Sequence, residues 1–397
     1  MWTRPPFLAF IALVFAKTCC TAKTVYNISV VDNAPSTVDF ISSDTGLDAP
    51  KVRPINASAI DWWYFDVVST DPKSRASVVV VFSAGGMPGM PLRVQATVSF
   101  PNGTLTSTET PVPAESATVT AEGNGSSGDW HGSGITWRYS APSGTYDILI
   151  DSPDLDMKGQ IHFQPAHYPC GPALAGQNLE VGPNIGWANA LPDAAATVNL
   201  MVGGTRLAEI HGQNWTPQPF GASVELWYWG HGRVGPYSVV WFDFLDLNGT
   251  EYGSAYVAKD KTILAASCDL RNIRVRPSGE NATYPPGNDT GFPSGYHITL
   301  DLGAEGVLEM DASVVASLMS APSYGRFVGN LTGSVTPVRG AGGYLMSGVA
   351  LFEQFRPNAF SVIPTADWEL QVDIWWYRVI ALARYARLCA SILFDCH

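Results

Sequence analysis

The sequence predicts an all-β fold, and three observations support this prediction. Only 15% of the 397 residues are charged, whereas glycine (38 residues) and proline (29 residues) are plentiful. Tryptophan (13), tyrosine (15) and phenylalanine (17) are also frequent, and this composition favours short strands joined by tight turns. From Asp61 onward, short apolar or alternating segments are separated by turn residues at regular spacing, which is typical of β-sandwiches and β-barrels.

The individual strands are predicted from apolar runs of six to nine residues. Residues 77–82 are almost entirely valine, residues 92–100 alternate and end at Pro101-Asn102-Gly103, and residues 145–150 alternate again. Two segments rich in small polar residues, 103–128 and 277–295, are predicted to be exposed hairpin loops. No long amphipathic helix is predicted before residue 367.

The length favours two domains, since one domain usually takes about 100–200 residues. Pro217 and Pro219 interrupt any strand ladder just before a new strand begins at Val224. We therefore predict one domain over residues 23–220 and a second over residues 221–366.

The tail, residues 367–397, differs in character because it is apolar and basic almost to its end. It could form one helix. Arg378, Arg384 and Arg387 would make a membrane-spanning segment costly. A helix packed on the body, a helix at a membrane surface and an artefact of gene prediction remain as alternatives, so no firm prediction about a membrane is made.

The N-terminus predicts entry into the secretory pathway. Arg4 precedes the apolar run 7–16, which ends in small residues at Ala22, and residues 1–22 are therefore predicted to be a signal peptide. Nine Asn-x-Ser/Thr sequons follow, and they support a secreted or lumenal protein. Glycosylation is predicted at Asn27, Asn56, Asn102, Asn124, Asn248, Asn281, Asn288 and Asn330. The ninth sequon, at Asn214, either carries a glycan or faces a binding site.

Four cysteines follow the leader, namely Cys170, Cys268, Cys389 and Cys396. Their spacing matches no zinc site. A disulfide between Cys170 and Cys268 and two buried free thiols are both possible interpretations in an oxidising compartment.

Charge and motifs exclude several classes of function. The formal net charge of −12 becomes −14 once Arg4 and Lys17 leave with the leader, so nucleic acid is not expected as a partner. The chain contains no Gly-x-Ser-x-Gly elbow, P-loop, His-Glu-x-x-His or dinucleotide fingerprint. We predict no cofactor and no metal site, and the oligomeric state is left open.

Aromatic density is the most distinctive feature, and it is highest at residues 61–66, 227–231 and 241–244. On a strand, Asp61 and Trp63 share one face, while Tyr64 and Asp66 share the other. These aromatic residues could all belong to the core, or one face could line a cavity. Asp61 and Asp66 must in either case be paired, hydrogen-bonded or raised in pKa.

Several segments, taken together, resemble the fungal Diels-Alderase family, lipocalin-like proteins that are distantly similar to carotenoid hydratases of the hydroxyneurosporene synthase type. The resemblance extends from about Asp48 to Phe355. The segments that carry it are 48–52, 61–66, 186–194, 211–215, 228–231, 235–238 and 348–355. The chain departs from the family pattern at Gly212 and Thr216, where the family usually has aspartate and glycine.

The resemblance implies an N-terminal β-sandwich followed by a C-terminal lipocalin-like β-barrel, with the substrate held between them. It also implies a cofactor-independent pericyclase of fungal secondary metabolism. The expected reaction is a stereoselective intramolecular [4+2] cycloaddition of a hydrophobic polyene tethered to a pyrrolinone or tetramic acid, which forms a cytochalasan isoindolone or a decalin. An intermolecular hetero-Diels-Alder reaction between a tropolone quinone methide and a sesquiterpene is the first alternative. A non-catalytic lipocalin-like carrier, a carbohydrate-binding protein and a hydratase are the others.

From these features we hypothesise that Asp61 orients or polarises the polar head of the substrate, aided by Asn214. A concerted cycloaddition needs a compact pose and a lowered dienophile energy rather than a nucleophile. Aromatic walls can supply that shape. The residues expected to bind the polyene are Trp63, Tyr64, Trp215, Tyr228, Trp241 and Phe327.

Overall fold

The computed structural model describes residues 22–356, except 32–33, 43–45, 57–58, 88, 168–175, 177, 189, 208–210, 214–223, 261, 268–272, 288, 322 and 341. In this part of the chain the regular structure is strand, apart from two short 3-10 helices at Pro153–Leu155 and Gly303–Glu305. The predicted all-β class is confirmed. No helix in the described ranges is long and apolar enough to cross a membrane.

The strands are numbered in chain order. Those of the first half are β1 (Lys23–Ile28), β2 (Thr37–Val38), β3 (Val52–Arg53), β4 (Ile60–Ser69), β5 (Ser77–Gly85), β6 (Leu92–Ser99), β7 (Leu105–Pro113), β8 (Ser116–Glu122), β9 (Gly125–His131), β10 (Ile135–Ser140), β11 (Thr145–Ser152), β12 (Met157–His167), β13 (Glu180–Gly182), β14 (Ile185–Gly186), β15 (Asp193–Val202), β16 (Thr205–Leu207) and β17 (His211–Gln213). Those of the second half are β18 (Val224–Val234), β19 (Tyr237–Asp246), β20 (Glu251–Lys259), β21 (Thr262–Ser267), β22 (Ile273–Ser278), β23 (Gly295–Asp301), β24 (Val307–Ala321), β25 (Tyr324–Thr336) and β26 (Met346–Phe355).

The first half forms a 13-stranded antiparallel sheet in the order β1-β8-β9-β10-β11-β12-β15-β17-β4-β5-β6-β7, with β16 paired to β15. This sheet folds over on itself, because rings from distant strands meet in its core. The ring centroids of Phe82 on β5 and Trp137 on β10 are 4.6 Å apart, and those of Trp63 on β4 and Trp130 on β9 are 5.4 Å apart. Ring pairs at such distances add to the hydrophobic stabilisation of the buried area.

The second half forms a nine-stranded sheet in the order β21-β20-β19-β18-β26-β25-β24-β23-β22. The edge strand β22 lies against β19 and β20, so the sheet curves into a barrel-like shape. A side chain completes this closure, because Asp243 Oδ2 on β19 accepts a hydrogen bond from the Val275 backbone N–H on β22 at 2.6 Å.

The outer face of the second sheet packs on one face of the first. Tyr64 and Val68 of β4 are buried there with Trp229 of β18 and Leu351 of β26. Alternation decides this arrangement: Trp63 and Phe65 of β4 point into the core of the first sheet, and their sequence neighbours point to the junction between the sheets.

The prediction of an exposed loop at residues 103–128 was wrong, because this segment contributes β7, β8 and part of β9. Ala117, Val119 and Ala121 of β8 are buried and alternate with Ser and Thr, which face outward. The abundance of small polar residues concealed this period of two. The predicted loop at 277–295 is confirmed in outline, since β22 ends at Ser278 and β23 begins at Gly295.

Other predictions fall outside the described residues, namely the signal peptide, the four cysteines, the tail and both predicted domain boundaries, near 220 and 366. The two-domain division and the secretory location stay predictions. Of the predicted glycosylation sites, Asn27, Asn102, Asn248, Asn281 and Asn330 are exposed, whereas Asn56 and Asn124 are partly buried. Asn288 is not described.

Candidate active site

Strand register places three polar side chains in one row on the inner face of the second sheet. Tyr228 on β18 pairs directly with Asp243 on β19 and with Gln354 on β26. Directly opposed residues of antiparallel strands project to the same face with Cβ atoms about 4.5–5.5 Å apart. The row ends in glycines on both sides, because Gly325 pairs with Gln354 and Gly253 with Asp243.

The next inward-facing row is aromatic. Phe327 on β25 pairs with Phe352 on β26, and Trp241 on β19 lies on the same face beyond Gly230 of β18. The absence of a side chain at Gly230 makes room for the two rings, since a Cβ atom there would overlap Trp241 Cζ2 and lie 2.6 Å from Phe352 Cβ. The sequence thus builds a polar row above an aromatic wall.

Two polar atoms of the upper row have no hydrogen-bond partner among the described residues, the Tyr228 hydroxyl and the Gln354 Nε2. Both side chains are buried, at 2% and 1% exposure. Tyr296 on β23 donates its hydroxyl hydrogen to Gln354 Oε1 at 3.0 Å, which leaves Nε2 as a donor toward the interior. An unsatisfied buried polar group costs about 1–3 kcal/mol, so these two groups are candidates for hydrogen bonds to polar atoms of a ligand.

Asp243 completes the row as its only carboxyl side chain. Its Oδ2 accepts the Val275 N–H at 2.6 Å and lies 3.5 Å from Arg276 Nη1. Burial raises the pKa of Asp243 from 3.8 to about 7, the hydrogen bond from Val275 lowers it in part, and the nearby Glu251 raises it again. A carboxyl group with such a pKa is available both as an acid and as a base near neutrality.

One end of the barrel is partly exposed and carries a charged group above the polar row. Arg276 binds Glu251 Oε1 at 2.5 Å and stacks 3.9 Å over the ring of Tyr284, whose hydroxyl also donates to Glu251. The ring centroids of Tyr284 and Tyr228 are 6.3 Å apart. These side chains form the rim of the barrel at this end. We call the set Tyr228, Tyr296, Gln354, Asp243, Trp241, Phe327 and Phe352 the interior site.

A second buried polar cluster lies at the junction, on the opposite face of the same strands. His231 Nε2 on β18 lies 2.7 Å from Asp66 Oδ1 on β4. Arg326 Nε on β25 lies 3.5 Å from Glu353 Oε2 on β26, which also accepts a hydrogen bond from the Tyr324 hydroxyl. Burial raises the pKa of both Asp66 and Glu353. This cluster fastens the two sheets together.

The structure brings some of the predicted site residues together and separates others. Tyr228, Trp241 and Phe327 share the interior site. Tyr64 lies at the junction, where its ring is 5.2 Å from that of Trp229, and its hydroxyl has no partner among the described residues. Trp63 is packed in the core of the first sheet. Asn214 and Trp215 lie outside the described residues. The roles assigned to all these residues stay predictions.

Asp61 lies on the same face of β4 as Trp63 and holds the segment before β4 in place. Its Oδ2 accepts the backbone N–H groups of Lys51 at 2.7 Å and of Val52 at 3.3 Å. Nearby, Asp48 accepts hydrogen bonds from Ser126 and Tyr146 at 2.6 and 2.9 Å. The expectation that a carboxylate among aromatic residues must be hydrogen-bonded or raised in pKa is met at Asp61, since burial raises its pKa to about 6.

These buried carboxyl groups predict a stability that decreases as the pH rises from about 4 to 7. Burial raises the pKa of Asp48 to about 7, that of Asp61 to about 6 and that of Asp243 to about 7, each from 3.8. In this window the folded protein retains protons that the unfolded chain has released. Each group therefore lowers the free energy of unfolding by up to about 1.4 kcal/mol per pH unit.

Urea unfolding at pH 4.5, 5.5, 6.5 and 7.5 would measure this slope. The Asp61→Asn variant keeps an acceptor oxygen for Lys51 and Val52 but cannot titrate. We expect its slope between pH 4.5 and 5.5 to be shallower than that of the wild type by about 1 kcal/mol per pH unit. Equal slopes for the two proteins would show that Asp61 is ionised throughout.

Sequence reasoning missed Asp243, Gln354, Phe352 and Tyr296 as candidate site residues. Two signals were available. Asp243 follows Trp241 at the two-residue spacing that puts both side chains on one strand face. Phe352 and Gln354 belong to the segment 348–355, which was noted only for its resemblance. For Tyr296 the sequence carries no comparable signal.

Comparison with known proteins places the chain in a family. The sequence profile of a family described as Diels-Alderase-like matches residues 20–273. The chain is 36% identical over 341 residues to the quinolone epoxide rearrangement protein penF of Penicillium thymicola, an alignment that covers 82% of the chain and 92% of penF. It is 32% identical over 338 residues to the quinolone epoxide rearrangement protein asqO of Emericella nidulans, with coverage of 82% and 91%.

The fold is also found among solved structures. The crystal structure of CghA with Sch210972 matches with a TM-score of 0.67, at 16% sequence identity, over 84% of this chain and 98% of CghA. At this level of identity the likeness concerns the fold alone. The profile match over more than half of the chain and the long alignments with penF and asqO show that the chain belongs to the Diels-Alderase-like family, as an enzyme of the pericyclase and isomerase type that acts on a small molecule.

Proposed function

We propose that this enzyme isomerises an epoxide carried by a flat aromatic heterocycle of the quinolone type, and that it does so in the interior site. The names of penF and asqO support this substrate class, because both align over nine-tenths of their length. The polyene cycloaddition expected from the sequence belongs to the same family and is the second candidate.

The observation that carries the proposal is a pair of donors that lie above an aromatic wall and have no hydrogen-bond partner among the described residues. The Tyr228 hydroxyl and the Gln354 Nε2 can donate to a ring carbonyl, which a quinolone presents in the plane of its rings. Trp241, Phe327 and Phe352 lie one row deeper, where they offer flat apolar surface to the rest of the substrate. Such rings also stabilise a cation that forms when a C–O bond of an epoxide breaks.

The second candidate is an intramolecular [4+2] cycloaddition of a polyene. The Diels-Alderase-like profile supports it, and the same two donors could polarise a dienophile carbonyl. The aromatic wall would hold the chain in a folded pose, and orientation effects of this kind can remove up to about 7–11 kcal/mol of a barrier in well-oriented models. The two candidates differ in what they demand of the site, since only the epoxide rearrangement needs a proton donor.

The full chain, purified after expression in a fungal host, should be incubated separately with three probes. These are a quinolone bearing a side-chain epoxide, a linear polyene tethered to a tetramic acid, and a tropolone quinone methide with a sesquiterpene. We expect the epoxide to be converted to one stereoisomer of a product of equal mass, identified by liquid chromatography with mass spectrometry and NMR. Cyclisation of a polyene with an untouched epoxide would overturn the proposal in favour of cycloaddition. Binding without any conversion would indicate a carrier.

The Tyr228→Phe variant tests the site itself. Because the hydroxyl has no partner among the described residues, its removal should leave the free energy of unfolding unchanged or raise it by about 1 kcal/mol. It should lower kcat/KM for the converted probe about 10-fold to 100-fold, as expected for the loss of one buried hydrogen bond to the substrate. Unchanged kcat/KM in a stable variant would exclude Tyr228 as a substrate donor.

A further inference from the structure

We propose that Asp243 is the catalytic acid of the interior site, which donates a proton to the epoxide oxygen and recovers it at the end of the rearrangement. This inference rests on the proposed function. It assigns a role to a carboxyl group that contributes to closing the barrel through Val275 and that the binding of a carbonyl by Tyr228 and Gln354 does not use.

Asp243 lies beside the proposed carbonyl-binding residue. Asp243 pairs directly with Tyr228, so the acid and the proposed carbonyl donor are nearest neighbours on the inner face of adjacent strands. Trp241, two residues earlier, is one row deeper on the same face. A quinolone whose carbonyl is bound by Tyr228 would thus hold a substituent within reach of the carboxyl group.

The other carboxyl groups near the barrel are poorly placed for this role. Glu353 precedes Gln354 on β26 and faces the junction, where it pairs with Arg326. Asp66 is on β4, on the far side of β18, and pairs with His231. Glu251 is at the rim with its side chain 33% exposed, and it forms an ion pair with Arg276 at 2.5 Å.

The charges around Asp243 allow it to keep a proton. The groups that act on it are Tyr228 on β18, Glu251 on β20, Arg276 on β22 and Tyr284 on the rim, together with the charge of the exposed Arg274 on β22. Arg276 lies closer to Glu251, at 2.5 Å, than to Asp243, at 3.5 Å. The guanidinium group of Arg276 therefore lies toward the rim. Burial raises the pKa of Asp243 more than Arg276 lowers it, and the resulting pKa is about 7.

The proposed step balances without a further reactant. The proton of the Asp243 carboxyl group passes to the epoxide oxygen, one C–O bond breaks with its electron pair on oxygen, and the carbon becomes cationic beside the aromatic row. A group on the neighbouring carbon migrates with its bonding pair. The carbon that it leaves carries the new hydroxyl group, whose oxygen forms a C=O double bond as its O–H bond breaks. That proton returns to the Asp243 carboxylate, so the product is an isomer of the substrate.

The test compares the wild type with Asp243→Asn, which keeps an acceptor for the Val275 N–H and resembles the protonated acid in shape. With the quinolone epoxide as probe, we expect kcat to fall about 100-fold to 10,000-fold, the usual contribution of a general acid. The dissociation constant, measured by tryptophan fluorescence with the carbonyl-bearing quinolone that lacks the epoxide, should change less than threefold. The Glu309→Gln variant, with an exposed side chain on β24, serves as the matched control and should keep wild-type kcat.

The pH profile of the wild type gives a second measurement that does not depend on the folding of a variant. The rate should decrease about tenfold per pH unit above an apparent pKa near 7, because the acid must be protonated. A flat profile from pH 5 to 9, or a folded Asp243→Asn variant with wild-type kcat, would overturn the role of Asp243 and leave the proposed function standing. A wild type that leaves the epoxide untouched would instead remove the proposed function, and the acid with it.

Discussion

We expect the Arg326→Met variant to lose about 3–5 kcal/mol of its free energy of unfolding, as is usual when one partner of a buried ion pair is removed. Arg326 is 6% exposed and is the cation beside Glu353, whose carboxyl group would remain buried without it. Its positive charge also lowers the pKa of Asp66 across the junction, against the effect of burial. Guanidinium unfolding at pH 7 measures the loss.

A second substitution distinguishes loss of charge balance from loss of packing. In the Arg326→Met/Glu353→Gln double variant the uncompensated charge is gone, and Tyr324 can still donate to the amide oxygen that replaces the carboxylate. We expect this variant to recover at least half of the lost stability. Lys158→Met is the matched control, since Lys158 and Asp151 form an ion pair with both side chains 71% exposed, and it should cost no more than about 1 kcal/mol. A double variant as unstable as the single one would attribute the effect to packing.

The sequence allowed the strand content and part of the site to be predicted for a physical reason. Alternation along one strand determines which side chains share a face, so the two faces of β4 could be assigned before any pairing was known. The pairing of Tyr228 with Asp243 was also accessible. Val234 and Tyr237 pair across the two-residue turn Gly235-Pro236, and counting six residues away from the turn on each strand leads to Tyr228 and Asp243.

The remaining contacts could not be predicted, because they join residues far apart in the chain. Gln354 reaches Tyr228 only through the pairing of β18 with β26, which are separated by seven other strands in the sequence. The same holds for His231 and Asp66, 165 residues apart. Periodicity is a local property, and it does not specify which strands become neighbours. For Asp61 the sequence predicted that the carboxylate must be paired, hydrogen-bonded or raised in pKa. It did not predict that the hydrogen-bond donors are the backbone N–H groups of Lys51 and Val52.

A side chain at position 230 is expected to destroy the interior site. A Cβ atom there would overlap the Trp241 ring and lie 2.6 Å from the Phe352 Cβ, and neither contact is tolerated in folded proteins. Gly230→Ala must therefore displace the Trp241 ring, the Phe352 side chain or both. We expect a loss of about 1–3 kcal/mol in the free energy of unfolding from overpacking. Turnover of the converted probe should fall about 100-fold, because a displacement of about 1 Å in the binding wall can cost that much.

A second substitution, at Trp241, tests whether the overlap with its ring causes the loss of stability in Gly230→Ala. The Gly230→Ala/Trp241→Phe double variant replaces the indole by a smaller ring that lacks the overlapping Cζ2 atom, so it should lose less stability relative to Trp241→Phe than Gly230→Ala loses relative to the wild type. The 2.6 Å approach to the Phe352 Cβ remains in both backgrounds, so the recovery should be partial. Turnover should remain low, since the wall of the site is changed in either case. Gly342→Ala is the matched control, because a Cβ atom at Gly342 meets nothing within 4 Å, and it should alter stability by less than about 0.5 kcal/mol. If Gly230→Ala keeps both wild-type stability and wild-type turnover, the rings around Gly230 are not a fixed wall, and the interior site loses the rigid aromatic surface on which its proposed chemistry depends.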